Sequence, residues 1–370
     1  MEFDRTIERP STLSPRTQSE APRRKEWIPK HPIAKLAMVW TIAQLLLVAI
    51  FEGIVISIHN TEIAQQQAVL LPTTAGSDAD IVMRNSYAIR VYEALLIASQ
   101  VFQLLLALDA VWHASFTQLA SAAAFSFGTM GYSAIAYYQG ATLTKQYDDI
   151  TTLFANSGVA LHQTHIWDIV VLVTFVLFCT GWVFICIKLY RVFGWSVFKQ
   201  LGADIQVRER LKLYHVYMVL LKVDVFFFIG FSAQFIALVL SNTGNPMDSV
   251  IHGCVAFPLT IGLLLVAFYA VTLESFWLMM LTLLGLSGGI GYIVSKLYDA
   301  ATNVEKYIGS RNSLIFFETI TLLLCITTFV IAFLNYRNFG KGLKEQLRGR
   351  GQNGRAVEAS YRMEDAHGRY

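Results

Sequence analysis

Charge and cysteine are scarce in this chain, and acceptor sites for N-linked sugars are missing. Only 15% of the 370 residues are charged, four are cysteines, and no Asn-x-Ser/Thr sequence occurs. In an ordinary soluble domain about a quarter of the residues are charged, so this composition excludes that class. The cysteines all fall inside apolar runs, where no disulfide between loops is expected; they are Cys179, Cys186, Cys254 and Cys325.

Catalytic signatures are also missing. The chain has no Walker-type phosphate loop and no His-Glu-x-x-His zinc-protease motif. No clustered set of acid, base or metal-ligating residues is visible. We therefore predict a protein that is not an enzyme and that has no cofactor and no catalytic, cofactor-binding or metal-binding residues.

Long apolar runs dominate what is present. A helix needs about 20 apolar residues to cross a bilayer, and a bilayer favours helices because it offers backbone groups no water. Eight runs qualify: Leu36–Ile58, Val91–Val111, Phe116–Tyr138, Ile166–Leu189, Val216–Leu240, Val250–Thr272, Phe276–Lys296 and Leu314–Leu334. The predicted fold is an all-α polytopic membrane protein with about eight transmembrane helices. The run Phe116–Tyr138 is the weakest, and its many small residues indicate an interior helix.

Basic residues cluster in three segments, which predicts the orientation. The first 35 residues, the segment Lys188–Lys212 and the tail from Arg337 hold 22 of the 29 lysines and arginines. Eight spans put all three segments on one side, and the positive-inside rule makes that side cytosolic. We expect both termini to be cytosolic and the basic segments to attract anionic lipids of the cytosolic leaflet. No nucleic acid is predicted as a partner.

The predicted domains follow from these segments. Residues 1–32 form a disordered cytosolic tail, 33–189 a first four-helix unit, 190–212 a basic cytosolic loop, 213–336 a second four-helix unit, and 337–370 a basic disordered tail. Long non-cytosolic loops are expected at roughly 59–90 and 139–165. The spacing of Trp195, Phe198, Leu201 and Ile205 favours an interfacial helix within the basic loop.

The two predicted units match each other in sequence. At an offset of 160 residues, Ala107, Ala110, Ser115, Phe116 and Gly131 meet Ala267, Ala270, Ser275, Phe276 and Gly291. At an offset of 146, Tyr190-Arg191 meets Tyr336-Arg337. These matches predict two parallel repeats that arose by duplication. The glycines are expected where helices approach their neighbours most closely.

Ionisable residues inside the spans are the candidate functional or ion-pair residues, because burying each one costs roughly 2.5–3.5 kcal/mol. They are Glu52, Glu93, Asp109, Lys222, Asp224 and Glu318. Lys222 and Asp224 are two residues apart, so they point away from each other on one helix. Lys222 therefore needs a carboxylate from another helix, and Asp109 lies at a similar depth. Packing ion pairs and a transport path both remain open for this set.

Two further patterns have competing interpretations. His162, His165 and Asp168 have a spacing at which the two histidines can share a metal ion, although histidines near an interface more often lie among lipid headgroups. Gly285 and Gly289, four residues apart, indicate close helix packing rather than a phosphate loop.

Four segments are distinctive in combination: Phe193–Asp204, Leu221–Phe231, Glu274–Trp277 and Arg311–Glu318. In these segments the chain resembles the uncharacterised Golgi-apparatus multi-pass membrane proteins of fungi, and the resemblance covers roughly residues 33–345. It implies a multi-pass protein of the Golgi membrane and supplies no activity, substrate or catalytic residue. The leading expectation is a non-enzymatic role in trafficking, membrane organisation or scaffolding. A small-solute or ion transporter is the alternative, and a lipid-modifying membrane enzyme is third.

Overall fold

The computed structural model describes residues 32–73, 77–113, 115–154, 163–201, 205–240, 251–304, 307 and 311–341. Their regular structure is helical, and no strand occurs among them. The eight helices are α1 Pro32–Thr73, α2 Ser77–Trp112, α3 Phe116–Phe154, α4 Gln163–Leu201, α5 Ile205–Gln234, α6 Phe257–Thr272, α7 Phe276–Thr302 and α8 Arg311–Asn338. One π-helical turn, Phe235–Leu240, continues α5, and another, Ile251–Ala256, leads into α6. The all-α prediction is confirmed.

Seven of the described helices are long and apolar enough to cross a membrane, and α3 falls short of that hydropathy. Small and hydroxyl side chains lower the hydropathy of α3. The helix is nevertheless an interior one, since it packs against α2 and α4 on one side and α5 and α8 on the other. Its inner residues Leu119 and Ala122 are fully buried. The expected count of about eight spans is therefore close to what the described chain contains.

The helices extend well beyond their apolar runs. At 42 residues, α1 is about 60 Å long, twice the thickness of the hydrocarbon core. The predicted non-cytosolic loops at 59–90 and 139–165 are instead mostly helical, as is most of the expected loop 190–212. Hydropathy detects only the apolar part of a helix, whereas polar residues with good helix propensity continue it outside. The side chains of the predicted interfacial segment from Trp195 to Ile205 lie outside those that the structure describes.

Each half of the chain closes into a ring of four helices. Helix α1 contacts α2 and α4, and α3 contacts the same two helices; α5, α6, α7 and α8 repeat this pattern. The short turns α2–α3 and α6–α7 define one end of the molecule, called here the hairpin end. Helices α2, α3, α5 and α8 carry the contacts between the halves.

The two hairpin turns make the same backbone hydrogen bonds. In the first, Ser115 N donates to Ala110 O at 3.0 Å, and in the second, Ser275 N donates to Ala270 O at the same distance. His113 N donates to Asp109 O, and its counterpart Leu273 N donates to Tyr269 O. Every partner is displaced by the 160 residues that relate the two halves in sequence.

An aromatic contact repeats across the halves in the same way. Phe116 packs edge-on against Tyr190 with ring centroids 4.8 Å apart, and Phe276 packs edge-on against Tyr336 at 5.5 Å. Phe116 and Phe276 are 160 residues apart in sequence, and Tyr190 and Tyr336 are 146 residues apart. The offsets read from sequence thus correspond to shared contacts. The domain boundaries and the origin by duplication stay predictions.

The expectation for the repeat glycines is wrong at most positions. A side chain added at Gly128, Gly288 or Gly291 meets nothing within 4 Å, and one at Gly131 makes only an ordinary contact with Phe316. Close approach occurs instead at Gly181 and Gly230, because Trp40 and Phe317 of neighbouring helices lie over them. Of the two glycines expected to pack closely, Gly285 does so under Leu263, whereas a side chain added at Gly289 meets nothing within 4 Å.

Aromatic side chains fill the boundary between the halves. Phe102 of α2 stacks on Phe226 of α5 at 4.8 Å, and Phe226 also packs edge-on against Phe125 of α3 at 4.9 Å. Nearer the other end, Tyr132 of α3 packs edge-on against Phe317 of α8 at 5.0 Å. Close ring packing of this kind is a rigid, apolar contact.

Candidate functional site

Lys222 pairs with Asp109 across the two halves, as predicted. Lys222 Nζ lies 2.5 Å from Asp109 Oδ2, and the side chains retain 36% and 27% of their exposure. His113, one turn on from Asp109, places Nδ1 3.0 Å from the other carboxylate oxygen. The pair joins α5 to α2 near the hairpin end, where an unpartnered ammonium below the headgroups is costly.

Asp224 faces the opposite way from Lys222. Its side chain is fully buried, and Oδ2 accepts a hydrogen bond from Thr328 Oγ1 of α8 at 2.7 Å. The other oxygen, Oδ1, has no hydrogen-bond partner. The two residues therefore serve different helix contacts, in agreement with their spacing along α5.

Glu52 and Glu93 come together inside the first four-helix ring. Glu52 lies on α1 and Glu93 on α2, and each side chain is 3% exposed. The charge of Glu93 lies within interaction range of Glu52 and of Asp168 on α4. Asp168 Oδ2 points towards α3, where it lies 3.3 Å from the position of a Cβ added at Gly140. The absence of a side chain at Gly140 makes room for this carboxylate.

Sequence reasoning had placed Asp168 with two histidines instead. His165 Nε2 lies 3.0 Å from Tyr137 Oη, and the two rings stack at 4.8 Å. His162 lies outside the described residues. Among those described, no three His, Cys, Asp or Glu side chains are arranged to hold a metal ion.

A buried amide network lies nearer the hairpin end of the same ring. Gln44 of α1 and Gln103 of α2 exchange two side-chain hydrogen bonds of 3.2 Å. Gln44 also donates to Ser126 of α3 and accepts a 2.9 Å bond from Trp182 Nε1 of α4. All four helices thus contribute to one interior network. Sequence reasoning missed it, although polar residues recur on α1 with helical spacing at Thr41, Gln44, Glu52 and His59.

Glu318 lies in the second ring, apart from the other candidate carboxylates, and Asp299 of α7 is the acid within its interaction range. Glu318 is 1% exposed, neither oxygen has a hydrogen-bond partner, and the charge of Lys296 on α7 lies within interaction range. Lys296 Nζ sits over the ring of Phe235 at 4.6 Å. Nearby, His252 Nδ1 lies 2.6 Å from Tyr292 Oη. Phe235 and His252 belong to the two π-helical turns, a feature that is frequent at functional sites.

The six candidate residues therefore do not form one centre. Glu52 and Glu93 share the first ring, Asp109 and Lys222 join the halves, and Asp224 and Glu318 lie at separate points of the second ring.

Ser287 of α7 has the sequence spacing of a hydrolase nucleophile. Gly285, Ser287 and Gly289 match the Gly-x-Ser-x-Gly string, which functions at a turn between a strand and a helix. Here the string lies within α7, and the Ser287 hydroxyl donates to Leu283 O one turn earlier at 2.9 Å. The segment is ordinary helix and does not present a nucleophile.

Long apolar helices around buried polar side chains define a polytopic helical membrane protein. Over 160 residues the chain is 34% identical to the UPF0658 Golgi apparatus membrane protein of Schizosaccharomyces pombe. The match spans 42% of this chain and 44% of that relative, so less than half of either protein is compared. The resemblance to the fungal Golgi proteins is confirmed.

No protein-family model matches the chain. No solved structure matches it either.

Proposed function

We propose that this protein resides in the Golgi membrane with both termini in the cytosol. It acts there without catalysis, in trafficking, membrane organisation or scaffolding. Support for the location comes from the similarity to a Golgi membrane protein of fission yeast. Its basic terminal segments bind anionic lipids of the cytosolic leaflet.

The aromatic boundary between the halves carries the argument for a structural role. A transporter whose two repeats rock against each other needs a path at their interface. Here Phe102 and Phe125 of the first half pack against Phe226 of the second half. Tyr132 packs against Phe317 across the same interface. A contact of this kind suits a rigid body that presents its ends to partners.

Tagged full-length protein tests the proposal. We expect a Golgi distribution by imaging, and proximity labelling that enriches Golgi membrane and trafficking proteins. A matched control carries the same tag and label on an unrelated multi-pass Golgi protein. Exclusive residence in another membrane contradicts the location, and labelling identical to the control contradicts the scaffolding role.

Transport of a small solute or ion is the second candidate, and the amide network in the first ring favours it. Buried Gln44, Gln103 and Ser126 line the inside of a bundle that an ordinary packed core fills with apolar side chains. A path would then run through this ring rather than between the halves. Reconstituted vesicles test it: a solute flux that depends on the protein and falls in Gln44→Leu supports transport, and no flux above empty vesicles contradicts it.

A further inference from the structure

The carboxylate group of the first ring draws on three helices. Glu52 comes from α1, Glu93 from α2 and Asp168 from α4, and Glu93 lies within electrostatic range of both others. Glu62, on α1 two to three turns beyond Glu52, adds a further acid within range of Glu93 and Asp168. Like charges gathered at such burial repel one another strongly, since little solvent separates them.

Glu93 supplies a second, independent observation. Its side chain is 3% exposed, and both carboxylate oxygens are buried without a hydrogen-bond partner among the residues that the structure describes. A buried acceptor without a partner is expensive, and more so when it is charged. Two unfilled acceptors therefore face the same interior as Glu52 and Asp168.

The described side chains around the group do not balance this charge when it is ionised. Arg90 of α2 is the cation within range of Glu93. His59 of α1 places Nε2 3.0 Å from Ser86 O and Nδ1 3.9 Å from Glu62. From α3, Gly140 faces Asp168 without a side chain, and on α4 His165 is held by Tyr137. When these carboxyl groups are ionised, they carry more negative charge than the described cations around them offset, which favours a positive ligand.

The arrangement of these carboxylates narrows the choice of positive ligand. No three acidic or histidine side chains among the described residues are close enough to hold a metal ion. A molecule with several N–H groups along a short carbon chain reaches separate carboxylates, and each contact is a charge-assisted hydrogen bond. We propose that Glu52, Glu93 and Asp168 bind a small organic cation that carries more than one N–H donor group. This site is independent of the scaffolding role.

Titration of the full-length protein with spermidine tests the proposal. The protein is held in nanodiscs of zwitterionic lipid, which removes binding to anionic headgroups. We expect spermidine to raise the melting temperature and to bind in calorimetry, and choline, a cation without N–H donors, to bind at least tenfold more weakly. Glu93→Gln weakens spermidine binding at least tenfold, whereas Asp224→Asn, a buried carboxyl of the second ring, leaves it unchanged.

Three results overturn the proposal. The first is no response of the wild-type protein to spermidine. The second is equal affinity in Glu93→Gln and wild type. The third is a melting temperature that depends on pH but not on spermidine, which marks a proton-binding group instead. If Glu93→Gln does not fold, Glu52→Gln and Asp168→Asn are titrated in its place, and unchanged affinity in both has the same meaning. None of these results bears on the Golgi location or the partners found by labelling.

Discussion

The contacts of Lys222 and Asp224 show what helix geometry can predict for single residues. Because Lys222 and Asp224 are two positions apart, the sequence predicted that they face different helices, and depth pointed to Asp109 as the partner of Lys222. In the structure Lys222 forms an ion pair with Asp109 of α2, and Asp224 accepts a hydrogen bond from Thr328 of α8. A charged group within a membrane span needs a partner, so its charge and its depth together narrow the choice of the residue that it pairs with.

Other residues of the candidate sites were beyond that reasoning. Asp168 joins Glu52 and Glu93 only because α1, α2 and α4 turn particular faces inward. Gln44 and Gln103 carry no charge, so no rule of pairing requires a partner for them. Which faces meet depends on the packing of four helices at once, and a single sequence does not contain that information in a local pattern.

Breaking the Lys222–Asp109 pair gives the first prediction. Lys222→Met and Asp109→Asn each lower the melting temperature in detergent, because the first leaves Asp109 with His113 alone and the second leaves the ammonium of Lys222 without its carboxylate. The double variant is less damaged than the sum, with a coupling of about 1 kcal/mol for a half-exposed pair. Lys296→Met with Asp109→Asn, two residues that do not touch, serves as the control. Additive losses in the Lys222–Asp109 cycle count against a direct pair.

At the scale of the helix, the sequence predicted the presence of each helix but not its length. The described residues of all eight apolar runs lie within α- or π-helices, but α1 and α3 continue through segments expected to be loops. Hydropathy shows which part of a helix suits the lipid. How far the helix continues depends on the helix propensity of the residues outside the bilayer and on the helices that they pack against. The glycines show the same limit, since their spacing revealed smooth helix faces but not which face a neighbour covers.

Glycine contacts between helices give the second prediction. At Gly230 of α5, an added Cβ lies 2.6 Å from Phe317 Cε1, a ring held in the core. Gly230→Ala therefore lowers stability by about 1–3 kcal/mol through overpacking. Gly128→Ala in α3, where nothing lies within 4 Å, is neutral or slightly stabilising because alanine favours the helix. Thermal unfolding in detergent measures both, and equal effects at the two positions refute the close contact.

At the scale of the whole molecule, two matching rings meet at an aromatic boundary. The shared backbone bonds of the hairpin turns and the paired contacts Phe116–Tyr190 and Phe276–Tyr336 repeat at the offsets found in sequence. The interiors of the rings differ, since the first holds the amide network and the grouped carboxylates. An architecture with similar frames and different interiors is what duplication followed by divergence produces.

The boundary itself gives the third prediction. Phe226 contacts both Phe102 and Phe125, so Phe226→Ala removes ring contacts across the halves. We expect a loss of about 3 kcal/mol, as for a phenylalanine in a packed core. Leu284→Ala on α7, at a side chain 72% exposed on the outer surface, provides the control with little change. Thermal unfolding decides, and similar losses in both variants contradict a boundary that holds the halves together.

The number of crossings fixes the orientation of the whole chain, and α3 decides that number. If α3 crosses, the chain crosses eight times and the basic segments share the cytosolic face; if it does not, the termini lie on opposite faces. Because the natural sequence has no Asn-x-Ser/Thr site, an introduced one reports its own location. We expect sites inserted within 155–162 or 241–250 to be glycosylated in cells, because those segments follow α3 and α5 away from the hairpin end. Sites appended to residue 1 or residue 370 stay unmodified, and removal of the sugar by a glycosidase verifies each band shift. Glycosylation at one terminus only means an odd number of crossings, which contradicts both the shared cytosolic face and the crossing by α3.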